Sequence, residues 1–199
     1  MIFRFLIFFL FSCLGPLTIL AQQSIPFKNE VQTKVAKSNF PTRALLAIEE
    51  VKRVNELKLY SQVSRGEHLF EAKFIKKDCD FSVTFDALGF LKDLEVVISL
   101  NSIYPSEVQR AIRDYLASAF KQTAVIRVGQ QFVPQEHNGK KNLVEDIIDD
   151  FFDGDIGKKH IVNYVLEISG KRGEDTTKLF ELIFDSRGHL KSMRRVAQT

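Results

Sequence analysis

The sequence predicts an α+β fold built as a tandem duplication, in which each copy contains a helix and a four-stranded antiparallel meander. The segment Phe85–Lys92 recurs as Phe184–Lys191, with Phe, Asp, Gly, Leu and Lys in matching places. An Asp followed three residues later by Gly is typical of a tight hairpin, because the Asp side chain bonds nearby backbone and Gly adopts positive φ freely. In each copy a helical period is followed by strands with alternating apolar residues, which indicates a repeated unit.

The N-terminus has the pattern of a secretory signal peptide at residues 1–21. A short charged start is followed by the apolar run Phe5–Leu20, and Ala21 precedes a polar segment. Because Gly15-Pro16 interrupts the run, it predicts cleavage after Ala21 better than a retained membrane anchor. A lipoprotein attached through Cys13 is disfavoured, since its product would begin with an apolar segment. We therefore expect an exported protein, periplasmic or extracellular, without a membrane span after cleavage.

The composition excludes some classes of partner. The chain has 28 basic and 25 acidic residues, and it has no basic stripe interleaved with aromatic residues, so no nucleic-acid partner is predicted. Beyond the signal segment Cys79 is the single cysteine, which precludes an intramolecular disulfide. The exported domain must therefore be held together by its hydrophobic core.

The remaining chain divides into three parts. Residues 22–39 are predicted to be an N-terminal tail or a short helix, because Phe27, Val31 and Val35 recur at four-residue spacing. Residues 40–100 form the first helix-plus-sheet repeat, and residues 101–199 form the second. Within the repeats the apolar periods predict two helices and eight strands, the helices at about 41–52 and 105–120 and the strands at about 55–60, 70–74, 79–85, 91–98, 124–132, 162–168, 180–184 and 190–196.

A helical insert at about residues 134–160 interrupts the second meander. Its apolar residues follow a helical stripe (Leu143, Val144, Ile147, Ile148, Phe151 and Phe152), and its acidic residues occupy the opposite side. The pattern leaves open whether this helix packs on the sheet or on a partner.

Several short motifs resemble the PepSY-like family of exported bacterial proteins. In the first copy these are Phe70–Phe74, Phe81–Val83 and Phe85–Leu91, followed by a Pro-led helix at Pro105. The second copy matches them at Tyr164–Ile168, Phe180–Asp185 and Gly188–Leu190. The likeness covers about residues 40–133 and 161–196. It departs from the family at Leu88, where a small or polar turn residue is usual, and at the insert.

This resemblance has consequences for fold and function. The family's fold is similar to that of β-lactamase inhibitor protein, which implies that the two units share one extended sheet with helices on one face. The bare, concave face of that inhibitor grips its enzyme. By resemblance, the corresponding face here, which we call the open face, is the predicted binding surface.

Nine residues of the alternating strands are predicted on the open face. The hypothesis from the sequence is that these residues bind the partner: Lys58, Tyr60, Glu71, Lys73, Ser82, Thr84, Arg127, Glu167 and Glu181. Glu95, Val165 and Ile183 would lie beside them. The expected partner is a protein or peptide. The alternative is a structural or adaptor protein whose partner docks on the acidic side of the insert helix.

No catalytic pattern accompanies these features, so no catalytic residue, cofactor or metal site is predicted and the chain is not expected to be an enzyme. His68, His137, His160 and His189 are far apart and form no HExxH motif, which favours structural or surface roles. Cys79 shares its strand face with Phe81, which predicts a buried, inert thiol. The acidic run Asp149–Asp155 lacks the register of a calcium loop and is better explained as a solvated helix face.

Overall fold

The computed structural model describes residues 27–28, 31–64, 66–135, 143–155 and 160–196. The signal segment 1–21 and His137 lie outside these residues. The strands are β1 (Phe27–Lys28), β2 (Val31–Lys34), β3 (Asn55–Ser64), β4 (Glu67–Lys76), β5 (Cys79–Asp86), β6 (Leu91–Ile98), β7 (Gln122–Pro134), β8 (His160–Lys171), β9 (Lys178–Asp185) and β10 (Leu190–Val196). The helices are α1 (Thr42–Glu49), α2 (Ser106–Ala119) and α3 (Leu143–Asp153), with 3-10 turns at Lys37–Asn39 and Leu100–Ser102.

These strands form one open sheet in the order β1-β10-β9-β8-β7-β6-β5-β4-β3-β2. Strands β2 to β10 pair antiparallel, and β1 pairs parallel with the end of β10. The α+β class is thus confirmed. Strands β6 and β7 pair directly, so strands from both halves of the chain belong to the same continuous surface.

For residues 22–39 the sequence predicted a tail or a short helix, and the helix alternative is wrong over Val31–Lys34. Residues Val31–Lys34 form β2, which pairs with residues 60–63 of β3. A short helix supported by two or three apolar residues is marginal in water. The outer edge of β3 offers unpaired backbone groups that an extended segment satisfies, so pairing prevails over the local helical period.

All three helices cover the same face of the sheet. Ala44 and Ile48 of α1, Val108, Ile112 and Leu116 of α2, and Val144, Ile147 and Ile148 of α3 are buried in one hydrophobic core. The alternating residues of the strands meet them there, including Phe81, Phe85, Phe132 and Phe184. Burial of these side chains is the main stabilising term in a domain without a disulfide.

The insert helix packs on the sheet. Phe151 of α3 lies 6.0 Å from Phe81 of β5 and 6.3 Å from Phe132 of β7 between ring centroids, so α3 packs across β5, β6 and β7. Its polar side is also tied to the sheet, because Lys76 lies 3.9 Å from Asp149 and His160 lies 3.6 Å from Asp150. The apolar stripe of the insert is therefore used within the fold.

The two recurring turns have matching hydrogen bonds. The Oδ1 atom of Asp86 accepts from the backbone N–H groups of Leu88 and Phe90, both at 2.9 Å. The Oδ1 atom of Asp185 accepts in the same way from the backbone N–H groups of Arg187 and His189, at 2.8 and 2.9 Å. Gly89 and Gly188 have φ of +81° and +82°. Each turn also lies against the first turns of a helix, Gly89 against α1 and Gly188 against α2.

Candidate functional site

The sheet face opposite the helices carries the candidate site. Because side chains alternate along a strand, the residues between the core positions all project to this open face. The nine predicted residues lie there, and together they line one groove of about 820 Å³. Its lining extends from Gln32 of β2 to Arg194 of β10, so it crosses most of the sheet. The structure thus brings the predicted residues together, while their role in binding stays a prediction.

Glu71 is the centre of a polar network at one end of the groove. Its Oε2 accepts a hydrogen bond from Gln32 Nε2 at 2.5 Å and lies 3.3 Å from Lys73 Nζ. Ser82 Oγ donates to its other carboxylate oxygen. Lys73 Nζ also donates to Gln32 Oε1 at 3.0 Å, and Gln32 Nε2 donates to Gln62 Oε1 at 3.0 Å. These bonds fix the position of the buried Glu71 side chain and of its partners.

Tyr60 supplies an aromatic surface beside this network. Lys73 Nζ lies 5.2 Å from the centroid of the Tyr60 ring, within the range of a cation–π interaction. Lys58 lies two residues before Tyr60 on the same face of β3, and its Nζ atom is 3.4 Å from Oε2 of Glu56. An amphipathic ring next to positioned charges is typical of surfaces that bind protein partners.

Asp93 is a strongly perturbed titratable group of the open face. Burial raises its pKa to about 7, and the neighbouring carboxylates of Glu95 and Glu71 add to the increase. Hydrogen bonds with Gln131 and Thr84 lower the pKa of Asp93, but by less than burial and the two carboxylates raise it. Sequence reasoning missed Asp93, although its position two residues before Glu95 on the same strand was a usable signal.

A line of charged residues crosses the second half of the groove. Arg127, Glu167, Glu181 and Arg194 are cross-strand neighbours on β7, β8, β9 and β10. Arg127 Nη1 pairs with Glu95 Oε1, and Arg194 Nη2 lies 2.8 Å from Glu181 Oε1. Arg194 was also missed by sequence reasoning. A register shift between Leu190 and Ser192 sets which residues of β10 face the groove, and the apolar pattern does not reveal it.

An apolar row separates this line from the polar network. Val97, Gly129, Val165 and Ile183 are successive cross-strand neighbours in the middle of the open face. The Glu95 side chain occupies the space above Gly129, where a Cβ would overlap its carboxylate and its Cγ. The absence of a side chain at position 129 therefore lets Glu95 lie across the apolar row and reach Arg127.

Within the described part of the chain, the remaining reactive side chains do not assemble into a second site. Cys79 is half-buried rather than buried, because it begins a strand next to an exposed turn. Burial raises the pKa of its thiol, and the carboxylates of Asp78 and Asp80 raise it further, which lowers the thiolate fraction. His189 lies beside Asp185 at 3.4 Å, and His68 packs on the Phe70 ring at 4.7 Å.

The acidic run of α3 has partners within the protein, since Asp149 faces Lys76 and Asp150 faces His160. Across the described ranges, no group of three or more His, Cys, Asp or Glu side chains is arranged to hold a metal ion. In the same part of the chain, no helix has the length and apolar character needed to cross a membrane.

Comparison with known proteins identifies the fold. No family model matches the chain, and no curated protein matches it. The structure is similar to DUF2874 family proteins from Bacteroides ovatus and Bacteroides uniformis, each with a TM-score of 0.52 and 14% identity. The two alignments cover 78% of this chain, and 86% and 89% of those chains respectively.

A candidate periplasmic protein from Bacteroides eggerthii is similar as well, with a TM-score of 0.51 and 13% identity over 78% of this chain and 88% of that one. At these identities the likeness establishes a shared fold alone. Membership of the PepSY-like family stays a prediction.

Proposed function

We propose that this chain is a secreted, non-enzymatic binding module of the bacterial cell envelope that captures a protein partner on its open face. The observation that carries the proposal is the gathering of all nine predicted side chains in one groove of about 820 Å³ on the uncovered side of the sheet. The helices bury the opposite side in the core, so the open face is the broad surface of the sheet that a partner can reach.

The local organisation of the groove supports binding. Its charged side chains are held by one another, as in Arg127 with Glu95 and Arg194 with Glu181. Side chains fixed before binding lose less conformational entropy when a partner docks. The polar groups of the groove are mainly carboxylates, amides and cations, which suit contacts with a protein partner.

The location rests on two separate arguments. The predicted signal peptide implies export, and one structural neighbour is described as a candidate periplasmic protein. The PepSY-like resemblance adds a narrower hypothesis, in which the partner is an exported hydrolase that the open face inhibits.

We also infer that the chain is a tandem duplication. Each Asp-x-x-Gly turn has the same hydrogen bonds and the same positive φ, and each is packed against the helix of its own half. In that case the groove is a composite of equivalent strands from two units, joined where β6 meets β7.

The alternative, an adaptor whose partner docks on the acidic side of α3, is supported less well. The apolar stripe of α3 is buried on the sheet, and Asp149 and Asp150 face Lys76 and His160. What remains for a partner is a smaller patch that includes Asp146, which is exposed.

The test is partner capture from envelope extract with single variants of the open face. Tyr60→Ala and Lys73→Ala should each abolish or strongly reduce recovery of the same partner, identified by mass spectrometry, because Lys73 holds the Tyr60 ring and the Glu71 carboxylate in position. Tyr104→Ala is the matched control, since Tyr104 is 84% exposed and precedes α2 on the helix-covered side. Asp146→Lys tests the patch on α3. Loss of capture in Asp146→Lys, with capture retained in Tyr60→Ala and Lys73→Ala, would refute the proposal in favour of the adaptor.

A further inference from the structure

The open face is acidic although the chain as a whole is not. The groove is lined by eight carboxylates and four cations, whereas the full sequence has 25 acidic and 28 basic residues. The carboxylates are Glu56, Glu67, Glu71, Asp80, Asp93, Glu95, Glu167 and Glu181, and the cations are Lys58, Lys73, Arg127 and Arg194. A groove with an excess of one sign of charge attracts a partner of the opposite sign and repels one of the same sign.

Each groove cation is already engaged by a carboxylate. Lys58 is 3.4 Å from Glu56, and Lys73 is 3.3 Å from Glu71. The other two cations form the pairs with Glu95 and Glu181 described above. An anionic partner would have to break one of these pairs to find a cation, and that would leave a carboxylate behind without its partner.

Three carboxylates of the groove, Asp80, Asp93 and Glu167, remain for an incoming cation; Asp80 is exposed, whereas Asp93 and Glu167 are half-buried. Among the described residues, neither Asp93 nor Glu167 has a Lys, Arg or His nitrogen within 4 Å. Asp93 receives hydrogen bonds from Thr84 and Gln131 instead, and Glu167 lies between Arg127 and Glu181 in the cross-strand register. They occupy the two sides of the apolar row, so a segment lying across the groove would meet both.

The groove also has the dimensions of a protein segment. Neighbouring strands are about 4.8 Å apart, so a lining that spans β2 to β10 extends roughly 40 Å. That length suits a loop or an extended segment of a partner protein rather than a small ligand. The apolar row of Val97, Val165 and Ile183 provides contact area for the stems of long basic side chains.

We propose that the open face docks a protein segment carrying Lys or Arg side chains, with the carboxylates of Asp93 and Glu167 as their acceptors. This inference rests on the proposed function and specifies the chemistry of the partner. The exposed side of α3 is also acidic. We expect basic side chains to bind in the groove and not on α3.

The charge state of Asp93 supports the same conclusion and makes it testable. The carboxylates of Glu95 on its own strand and Glu71 on β4 act on Asp93, Thr84 and Gln131 hydrogen-bond to it, and its pKa is raised to about 7. Arg127 and Lys73 pair with those two neighbouring carboxylates. A bound cation favours the ionised carboxylate, so binding should strengthen as Asp93 loses its proton between about pH 6 and pH 8. The Asp93→Asn variant should lose this pH dependence.

The experiment uses defined probes and the exported protein purified from the envelope fraction. Four Gly-Ser peptides of equal length, which carry two Arg, two Lys, two Gln or two Glu residues, are titrated by NMR. The Arg and Lys peptides should bind at least about tenfold more tightly than the Gln peptide, with shifts at Thr84, Asp93 and Gln131. Asp93→Asn and Glu167→Gln should each weaken binding about three- to tenfold. Asp146→Asn on α3 makes the same change in charge and should leave it unchanged.

Two results would overturn the inference: a Glu peptide that binds as well as the Arg peptide, or equal weakening by Asp146→Asn. If Tyr60→Ala and Lys73→Ala still abolish envelope capture in that case, the proposed function stands and only the partner's chemistry is wrong. If neither capture nor peptide binding depends on the open face, both proposals fail. Unchanged amide spectra outside the groove establish that Asp93→Asn and Glu167→Gln remain folded.

Discussion

The side chain of Glu95 lies directly over the backbone of Gly129, and its carboxylate pairs with Arg127. The three residues come from adjacent strands β6 and β7. This arrangement joins the polar network around Glu71 to the charged line on β7 to β10. It depends on the absence of a side chain at one position in the centre of the open face.

Gly129→Ala should therefore destabilise the protein. Ala in a strand ordinarily makes a protein more stable than Gly does, by about 0.5–1 kcal/mol, so intrinsic preference alone predicts a more stable variant. The overlap with Glu95 should outweigh it, for a net cost of about 1–3 kcal/mol in urea unfolding. In a Glu95→Ala background the same substitution should be neutral or stabilising. An equal cost in both backgrounds would contradict the proposed contact.

Asp93 should make the stability of the fold fall as the pH rises. Its pKa of about 7 in the folded protein exceeds the 3.8 of an unperturbed Asp, so the folded state retains a proton that the unfolded state has lost. Stability therefore decreases between about pH 4 and pH 7, by an upper bound of roughly 4 kcal/mol. Asp93→Asn should be more stable than wild type at pH 8 and equally stable near pH 4. Parallel pH profiles for wild type and variant would refute this.

The two Asp-x-x-Gly turns should be more sensitive to substitution than another glycine with positive φ. Gly66 has φ +83°, and no atom lies within 4 Å of the position that a Cβ would take, so Gly66→Ala carries only the backbone strain of about 1–2 kcal/mol. At Gly89 and Gly188 a Cβ would also lie 2.9 Å from backbone atoms of α1 and α2. Gly89→Ala and Gly188→Ala should lower the melting temperature further than Gly66→Ala. Equal shifts in all three variants would contradict the close approach of turn and helix.

The insert helix should behave as part of the core. Ile147 of α3 is fully buried, so Ile147→Ala should cost about 2–5 kcal/mol of unfolding free energy. Leu46 on α1 is 56% exposed, and Leu46→Ala should change stability by no more than about 0.5 kcal/mol. Chemical denaturation of both variants measures the difference. A small effect at Ile147 would mean that α3 can leave the sheet without loss of stability.

Much of the fold was predictable because the strongest patterns are local. The alternation from Cys79 to Phe85 and the helical period from Val108 to Phe120 correspond to β5 and α2, and the structure confirms both. The nine predicted side chains reach the open face for the same reason, since alternation fixes which residues oppose the core. The helix prediction failed for Val31–Lys34, because this segment pairs with β3 in spite of its weak helical period.

The sequence by itself determined the α+β class, the two hairpin turns and the side of the sheet on which each candidate residue lies, because these follow from the spacing of residues along the chain. Tertiary structure decided the strand order, the packing of α3 over β5 and β7, and the neighbours of each charge. It brought Gln32 and Arg194 into the groove, and it placed Asp93 among carboxylates that raise its pKa. Those outcomes depend on edge pairing, on a register shift and on distances between strands remote in sequence, none of which a local period encodes.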